Sequence, residues 1–445
     1  MRAMCLLAVI CCIAGCARSQ EARRPAPVGP AATAAAGNHV TFNEDQVMLI
    51  NGRKVFPIGM MSPPPSDGLT PSGGSAMQEL RDAGANFLRT GALGADWDES
   101  FVQREQGYQD AAAEHGLYCM PYLRQLGSID GTDPENEAFL RRVVTMFRDH
   151  KGMAVWYGVD EPEWGKHPVE PLVRAYTIIK QLDPHHPVWI VQAPRGTVDS
   201  MRAYAPAYDA TGADIYPISY PPAIHSHLPN DHISVVGDHT KIMMDVAEGK
   251  VPVWMVLQIA YSGVLPTRGN TLRFPTWEQQ RYMTYQAIAT GARGLWYFGG
   301  HIGVAMNDRD RELGWNWTQW YRVLRPVVEE IGEHSPLYPA LVAPDSMLPI
   351  RAADVEMVVR EVGDELFIIA TKREGEARQI RFLELPADVH EEAEVMFESP
   401  RRVIIEKIAL DPKKPDELTG SFTDWFAPFD VHVYRLKRQG EKNTR

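Results

Sequence analysis

Residues 155–162 read Val-Trp-Tyr-Gly-Val-Asp-Glu-Pro, an apolar, strand-like run that stops on two adjacent carboxylates and a proline. Proline cannot donate to a strand ladder, so pairing ends there. A carboxyl group at such a strand end can give and take a proton near neutral pH if apolar neighbours raise its pKa, and Trp156 and Tyr157 are close in sequence. Glu161 is therefore the candidate proton donor. Asp160 stands beside it to orient it or to contact a substrate hydroxyl or amide. In an arbitrary loop the same pair would more simply cap the next helix, so the assignment depends on the elements that surround it.

Those elements repeat one theme, a short apolar run followed by an amphipathic stretch, which suits βα units. Eight runs qualify: 55–60, 86–90, 117–122, 153–159, 187–191, 209–216, 252–258 and 294–298. Between them, 137–150, 171–182 and 277–290 carry helical patterns, and Gly84, Gly116, Gly152 and Gly291 stand where C-caps would fall. Eight units without a glycine-rich nucleotide loop predict an α/β fold, a (β/α)₈ TIM barrel, rather than a doubly wound open sheet. Ahead of it, 39–53 reads as a β-hairpin with Asn51-Gly52 as the tight turn. Beyond 336 the helical pattern gives way to short β-prone runs at 357–360, 365–371, 379–382, 392–397, 402–408 and 430–436, which predict a C-terminal β-sandwich. The predicted divisions are a signal peptide at 1–15, a tether at 16–38, hairpin and barrel at 39–335, the sandwich at 336–438 and a tail at 439–445.

In a barrel of parallel strands, functional side chains collect at the C-terminal strand ends. Here Arg89 ends the second strand, Tyr122 and Arg124 follow the third, and Asp160 and Glu161 end the fourth. Asp214 and Tyr216 end the sixth, Gln258 and Tyr261 the seventh, and Trp296 and His301 lie at or beyond the eighth. Asp160, Glu161 and Asp214 are the catalytic candidates, and the others are assigned to substrate positioning. Trp156, Trp164, Trp254, Trp296 and Trp315 offer flat faces that suit sugar rings, although Trp156 and Trp254 fall inside strands and read as core. His225, His227, His232 and His239 cluster after strand six, but histidines in a loop more often donate to hydroxyls, and no residue is assigned to a metal. Asn307-Asp308-Arg309-Asp310 lacks calcium-loop spacing.

The chain resembles the clan A glycoside hydrolases of the β-galactosidase and cellulase type, from Ile50-Asn51-Gly52-Arg53 and Phe56-Pro57-Ile58-Gly59 to Gly291-Ala292-Arg293-Gly294, with Val431-His432-Val433-Tyr434 resembling the last strand of their accessory sandwich. Asp-Glu-Pro stands where the clan has Asn-Glu-Pro, so the resemblance implies that Glu161 is the general acid/base. Arg89 and Trp296 fall where the clan has an arginine and a tryptophan. Its nucleophile is a glutamate ending strand seven, where this chain has Gln258. A neutral amide cannot form a glycosyl ester, which leaves three expectations. Glu161 and Asp214 could act as acid and base of an inverting enzyme. The Asp160-Glu161 pair also resembles family 20 hexosaminidases, whose substrate N-acetyl group serves as nucleophile. The third is a carbohydrate-binding or scaffold lipoprotein without chemistry. None of them implies a cofactor.

Arg2 precedes an apolar run from Met4 to Gly15 that ends in Ile13-Ala14-Gly15-Cys16, too short to span a bilayer and resembling the lipobox of bacterial lipoproteins. Cleavage before Cys16 and lipidation on it are expected. Ala17 and Arg18 follow without an aspartate, which favours the outer membrane, facing the periplasm or the outside. Of five cysteines, only Cys119 would then remain in the folded body, in an apolar run that marks it as a core residue. A net charge of −12 without a basic block argues against nucleic acid as a partner; the expected partners are the carbohydrate that the glycoside hydrolase resemblance implies and the membrane that the lipobox resemblance implies.

Overall fold

The computed structural model describes residues 37–219, 221–259, 273–299 and 307–439. Three short antiparallel strands lead in, Val40–Phe42, Met48–Ile50 and Arg53–Val55, one more than the hairpin expected. Asn51 (φ 53°) and Gly52 (φ 81°) form the turn that pairs Ile50 with Arg53. Two successive positive φ values are what a two-residue turn joining twisted strands requires, and asparagine and glycine reach them most easily.

Eight parallel strands then close into a barrel: Ile58–Met60, Phe87–Gly91, Tyr118–Tyr122, Trp156–Asp160, Val188–Gln192, Ala210–Ile215, Trp254–Gln258 and Gly294–Phe298. Each lies on one of the predicted runs, because strands buried on both faces read as continuous apolar stretches. Large and small residues alternate inside. Phe87, Tyr157, Trp189, Trp254 and Trp296 fill the interior, all at 0 % exposure. Trp189 stacks on Trp296 with centroids 5.1 Å apart and lies 5.7 Å from Trp254. Glycines make room for them: a Cβ at Gly59 would sit 2.0 Å from the Trp296 ring, and one at Gly212 would sit 1.7 Å from the Trp254 carbonyl oxygen.

Gly84 (φ 104°) and Gly116 (φ 70°) cap the helices Ala76–Ala83 and Glu99–His115 as expected. Gly152 does not, since the helix Pro134–Phe147 ends at Arg148; its small size instead admits the backbone of Gln109, whose carbonyl oxygen would lie 2.4 Å from a Cβ. The helix Trp277–Ala289 is buried almost all round, because the sandwich covers the side that faces away from the barrel. Arg281 pairs with Glu330 at 2.8 Å and donates to Val431 O at 3.0 Å, tying that helix to the last strand of the sandwich. A pair this deeply buried forgoes much hydration, which the bonds from Arg281 to Val431 O and from the Tyr285 hydroxyl to Glu330 offset in part.

The sandwich has a four-stranded and a five-stranded antiparallel sheet sharing one core, in which Phe382 and Phe422 of one sheet pack on Tyr434 of the other. Its longest strand, Leu418–Phe426, has no counterpart among the predicted runs, because Gly420, Ser421 and Asp424 interrupt the apolar alternation. The single run expected at 402–408 is two strands, Arg402–Ile404 and Glu406–Ala409, which cross between sheets at the buried Ile405.

Candidate active site

The fourth barrel strand reaches its end through an irregularity, for its pairing with strand five shifts between Tyr157 and Asp160. Such bulges turn a side chain out of the regular alternation. The next residue, Glu161, holds φ at 47°. A non-glycine residue in this left-handed region costs on the order of 1 kcal/mol and persists where neighbours enforce it. Here Glu161 N donates to Val191 O at 2.8 Å and Glu161 O accepts from Gly165 N at 2.9 Å. Together these features bring Asp160 and Glu161, consecutive in sequence, to the lining of the same cavity.

That cavity encloses about 430 Å³ at the C-terminal ends of the strands. Asp214, from strand six, joins the two carboxylates on its wall, and Arg89, Tyr216 and Phe298 complete that side. The Tyr157 hydroxyl donates to Asp160, whose carboxyl is pushed upward by burial against the opposing pull of that bond and of Arg89. Burial and then the charge of Asp160 push Glu161 up to about 7. Asp214 is raised as well, by burial and then by Glu161. Two buried carboxyls that resist ionising together share one proton across the neutral range.

His225 completes the cluster. Its Nε2 lies 3.9 Å from Glu161 Oε1 and 3.7 Å from Asp214 Oδ2, and its ring stacks on Tyr216 at 4.4 Å. Burial, then the charge of Arg195, lowers its pKa to about 3, so the imidazole is neutral. One donor atom from each of Glu161, Asp214 and His225 lies within 4.8 Å of the others, a set that could hold a metal ion. The remaining histidines of that segment are spent elsewhere: His227 on Pro194 O at 2.8 Å, His239 on the Ser226 hydroxyl at 2.9 Å, and His232 at the surface beside Asp231.

Several expected positions prove to lie off the cavity. Gln258 is fully buried, accepting from Ile218 N at 2.9 Å and donating to Ile218 O at 2.5 Å, so it braces the loop after strand six while Val256, one layer deeper, lines the cavity. Trp296 is in the barrel interior beneath the site, and Phe298 takes the lining position. Arg124 turns outward to pair with Asp96 at 2.8 Å. Tyr122 packs against Tyr157 at 4.7 Å behind the wall, with the Arg89 guanidinium 5.7 Å from its ring. Tyr261, His301 and Cys16 fall outside the described residues. Conversely, Arg195 and His225 line the cavity from loops where apolar patterning gives no register.

Behind the site stands Glu105, which no pattern in the sequence marks. It is 1 % exposed, accepting from Thr90 Oγ1 at 3.0 Å, Gly91 N at 2.7 Å and Gln109 Nε2 at 2.7 Å, and so fixes the strand end that carries Arg89. Burial lifts its pKa from 4.5 to about 7. The folded state thus binds a proton that the unfolded state releases near 4.5, and this contribution to stability is lost as pH rises toward 7. Between pH 5 and 8 the wild type is expected to lose roughly 2–3 kcal/mol more stability than Glu105→Gln. Urea denaturation at both values checks this, and equal losses would place the charge of Glu105 outside the balance.

No family model and no curated protein matches the sequence. Among solved structures, the chain is similar to a protein described as a glycoside hydrolase (TM-score 0.56, 12 % identity, 92 % of this chain and 98 % of that one). It is equally similar to a glycoside hydrolase family 5 protein from Bacteroides vulgatus (TM-score 0.56, 12 % identity, 92 % and 95 %). An α-amylase from Geobacillus thermoleovorans is similar at a TM-score of 0.51 and 11 % identity, covering 90 % of this chain and 100 % of that one. The likeness is one of fold. The (β/α)₈ barrel with an accessory β-sandwich, resembling that of glycoside hydrolases, is thus present in the structure as well as implied by the sequence.

Proposed function

We propose that the protein is a glycoside hydrolase acting on an oligo- or polysaccharide, with Glu161 as general acid/base and Asp214 as its partner carboxylate. The observation that supports this best is the convergence of Asp160, Glu161 and Asp214 on one open cavity at the strand ends. A sugar-binding scaffold has no use for buried carboxyls that raise one another's pKa, whereas an acid that must hold its proton at neutral pH needs that environment.

The spacing favours one of the possible routes. One oxygen of Glu161 and one of Asp214 lie within 4.8 Å of each other, so the two carboxyls are too close to hold a water between them. An inverting pair leaves a gap of roughly 6.5–9.5 Å for its water, while a retaining pair stands about 5–5.5 Å apart. In the form of the pair that has the shared proton on Glu161, this acid protonates the leaving oxygen as ionised Asp214 attacks the anomeric carbon. The glycosyl ester forms as the glycosidic bond breaks. Glu161, now ionised, takes a proton from water, which hydrolyses the ester and frees Asp214. Strand six then supplies the nucleophile, and Gln258 on strand seven is left to a supporting role.

A hydrolysis screen over diverse glycans, with the anomeric configuration of the first product followed by NMR, tests this reading. Retention is expected; inversion would recast Asp214 as a base, and no turnover of any glycan would sink the reading. We also propose that Cys16 is lipidated and holds the protein at the outer membrane, where its glycan would be met outside the cytoplasm. Diacylation plus N-acylation gives stable anchoring where one chain does not. Cys16→Ser is expected to move the protein from the membrane to the soluble fraction of cells; retention in washed membranes would contradict the anchor.

A further inference from the structure

Trp164 follows Glu161 by three residues, in a loop closed by Gly165 N to Glu161 O at 2.9 Å and His167 N to Pro162 O at 2.9 Å. It lines the cavity yet is 53 % exposed, which places it at the mouth, above the buried Asp214 and His225. The guanidinium carbon of Arg195 stands 4.9 Å from the centre of its ring, and Nη2 donates to Ile224 O at 2.7 Å. A half-open indole with a fixed guanidinium over one face leaves its other face for the C–H side of a sugar ring and holds a planar fork of donors at the cavity mouth.

Arg195 has no acid of its own: Glu163, in the Trp164 loop, pairs with Lys166 at 2.8 Å, and the Arg195 charge reaches Glu161 only from beyond ion-pair distance. Among the described residues no carboxylate pairs with Arg195 within 4.0 Å. In a chain with 57 acidic and 45 basic residues, an arginine held over a cavity wall without an acid of its own is suited to an anion brought by the ligand. One of its N–H groups is engaged by Ile224, and the remaining donors suit a carboxylate or sulfate.

We propose that Trp164 and Arg195 form a subsite at the cavity mouth that selects a sugar ring carrying an anionic oxygen substituent, a carboxylate or a sulfate, beside the bond to be cleaved. This rests on the carbohydrate reading of the cavity.

The test is calorimetric titration of the full chain in a Glu161→Gln background, which separates binding from turnover. The probes are oligogalacturonides, heparosan oligosaccharides and chondroitin sulfate oligosaccharides, each beside its carboxyl-reduced or desulfated form. At least one acidic probe is expected to bind tenfold or more tightly than its neutralised form, and the form that loses affinity identifies carboxylate or sulfate. Arg195→Met should abolish that preference, Arg195→Lys should keep part of it, and Trp164→Ala should weaken acidic and neutral probes alike. The preference should shrink with added salt, since the site is open to solvent. Equal affinity for acidic and neutral forms, no binding of any probe, or a preference that survives Arg195→Met would overturn the subsite. An Arg195-dependent preference in a chain that hydrolyses nothing would uphold the subsite and overturn the hydrolase reading alone.

Discussion

Glu161→Gln is expected to lower turnover of a natural glycan by about 10²–10⁴-fold, the usual contribution of a positioned general acid. The substitution keeps the size and polarity of the side chain and removes only the proton donor. A sugar alcohol is a poor leaving group and needs that proton, whereas an activated aryl leaving group departs with little protonation and should lose far less. The pH profile carries the same information. Activity needs Glu161 protonated, so kcat/KM of the wild type should fall as pH rises through about 7, where burial and Asp160 place its pKa. In Glu161→Gln that alkaline limb should be absent. Full activity of the variant on the natural glycan would remove Glu161 from the role of acid.

Trp296→Ala is expected to cost about 3–5 kcal/mol of folding stability, as large aromatic truncations in packed cores do. The indole is 0 % exposed, stacked on Trp189 at 5.1 Å, 5.5 Å from Phe87, and fills the space that Gly59 leaves open. Nothing in the barrel can collapse into a hole of that size without moving strands that close on one another. Urea denaturation would read the loss directly, and Trp296→Phe should lose less. Because the ring lies beneath the cavity floor, KM of the folded fraction should change little. Native stability with a KM raised tenfold or more would instead put the indole in contact with substrate, as the family resemblance implies.

The contrast between Glu161 and Trp296 shows where the sequence could be read and where it could not. Eight apolar runs located the barrel strands, since the burial of both faces leaves its mark on every residue of a run. The polar residues that end those runs located Asp160, Glu161 and Asp214. Depth along a strand is another matter. Trp296 and Phe298 lie two residues apart on one strand, and the closure of the barrel decides which of them meets the cavity. Val256 and Gln258 are separated in the same way, and the loop that covers Gln258 is set by its bonds to Ile218, forty residues away in the chain. Arg195 and His225 come from loops, where no periodicity assigns a direction. In the sandwich, the strand Leu418–Phe426 escaped because its neighbours in the sheet, rather than its own composition, make it a strand.

The stacked pair Trp189 and Trp296, with Trp254 close by, also gives the barrel an optical signature. Indoles held this near and at a fixed angle couple their electronic transitions, so the near-ultraviolet circular dichroism should show a strong band that vanishes when fixed packing is lost, as such signals do on unfolding. The transitions sit directly under the cavity. A ligand that shifts the floor by a few tenths of an ångström should alter the band's sign or intensity. The barrel can therefore report occupancy with its own chromophores, without a label and before any substrate has been cleaved.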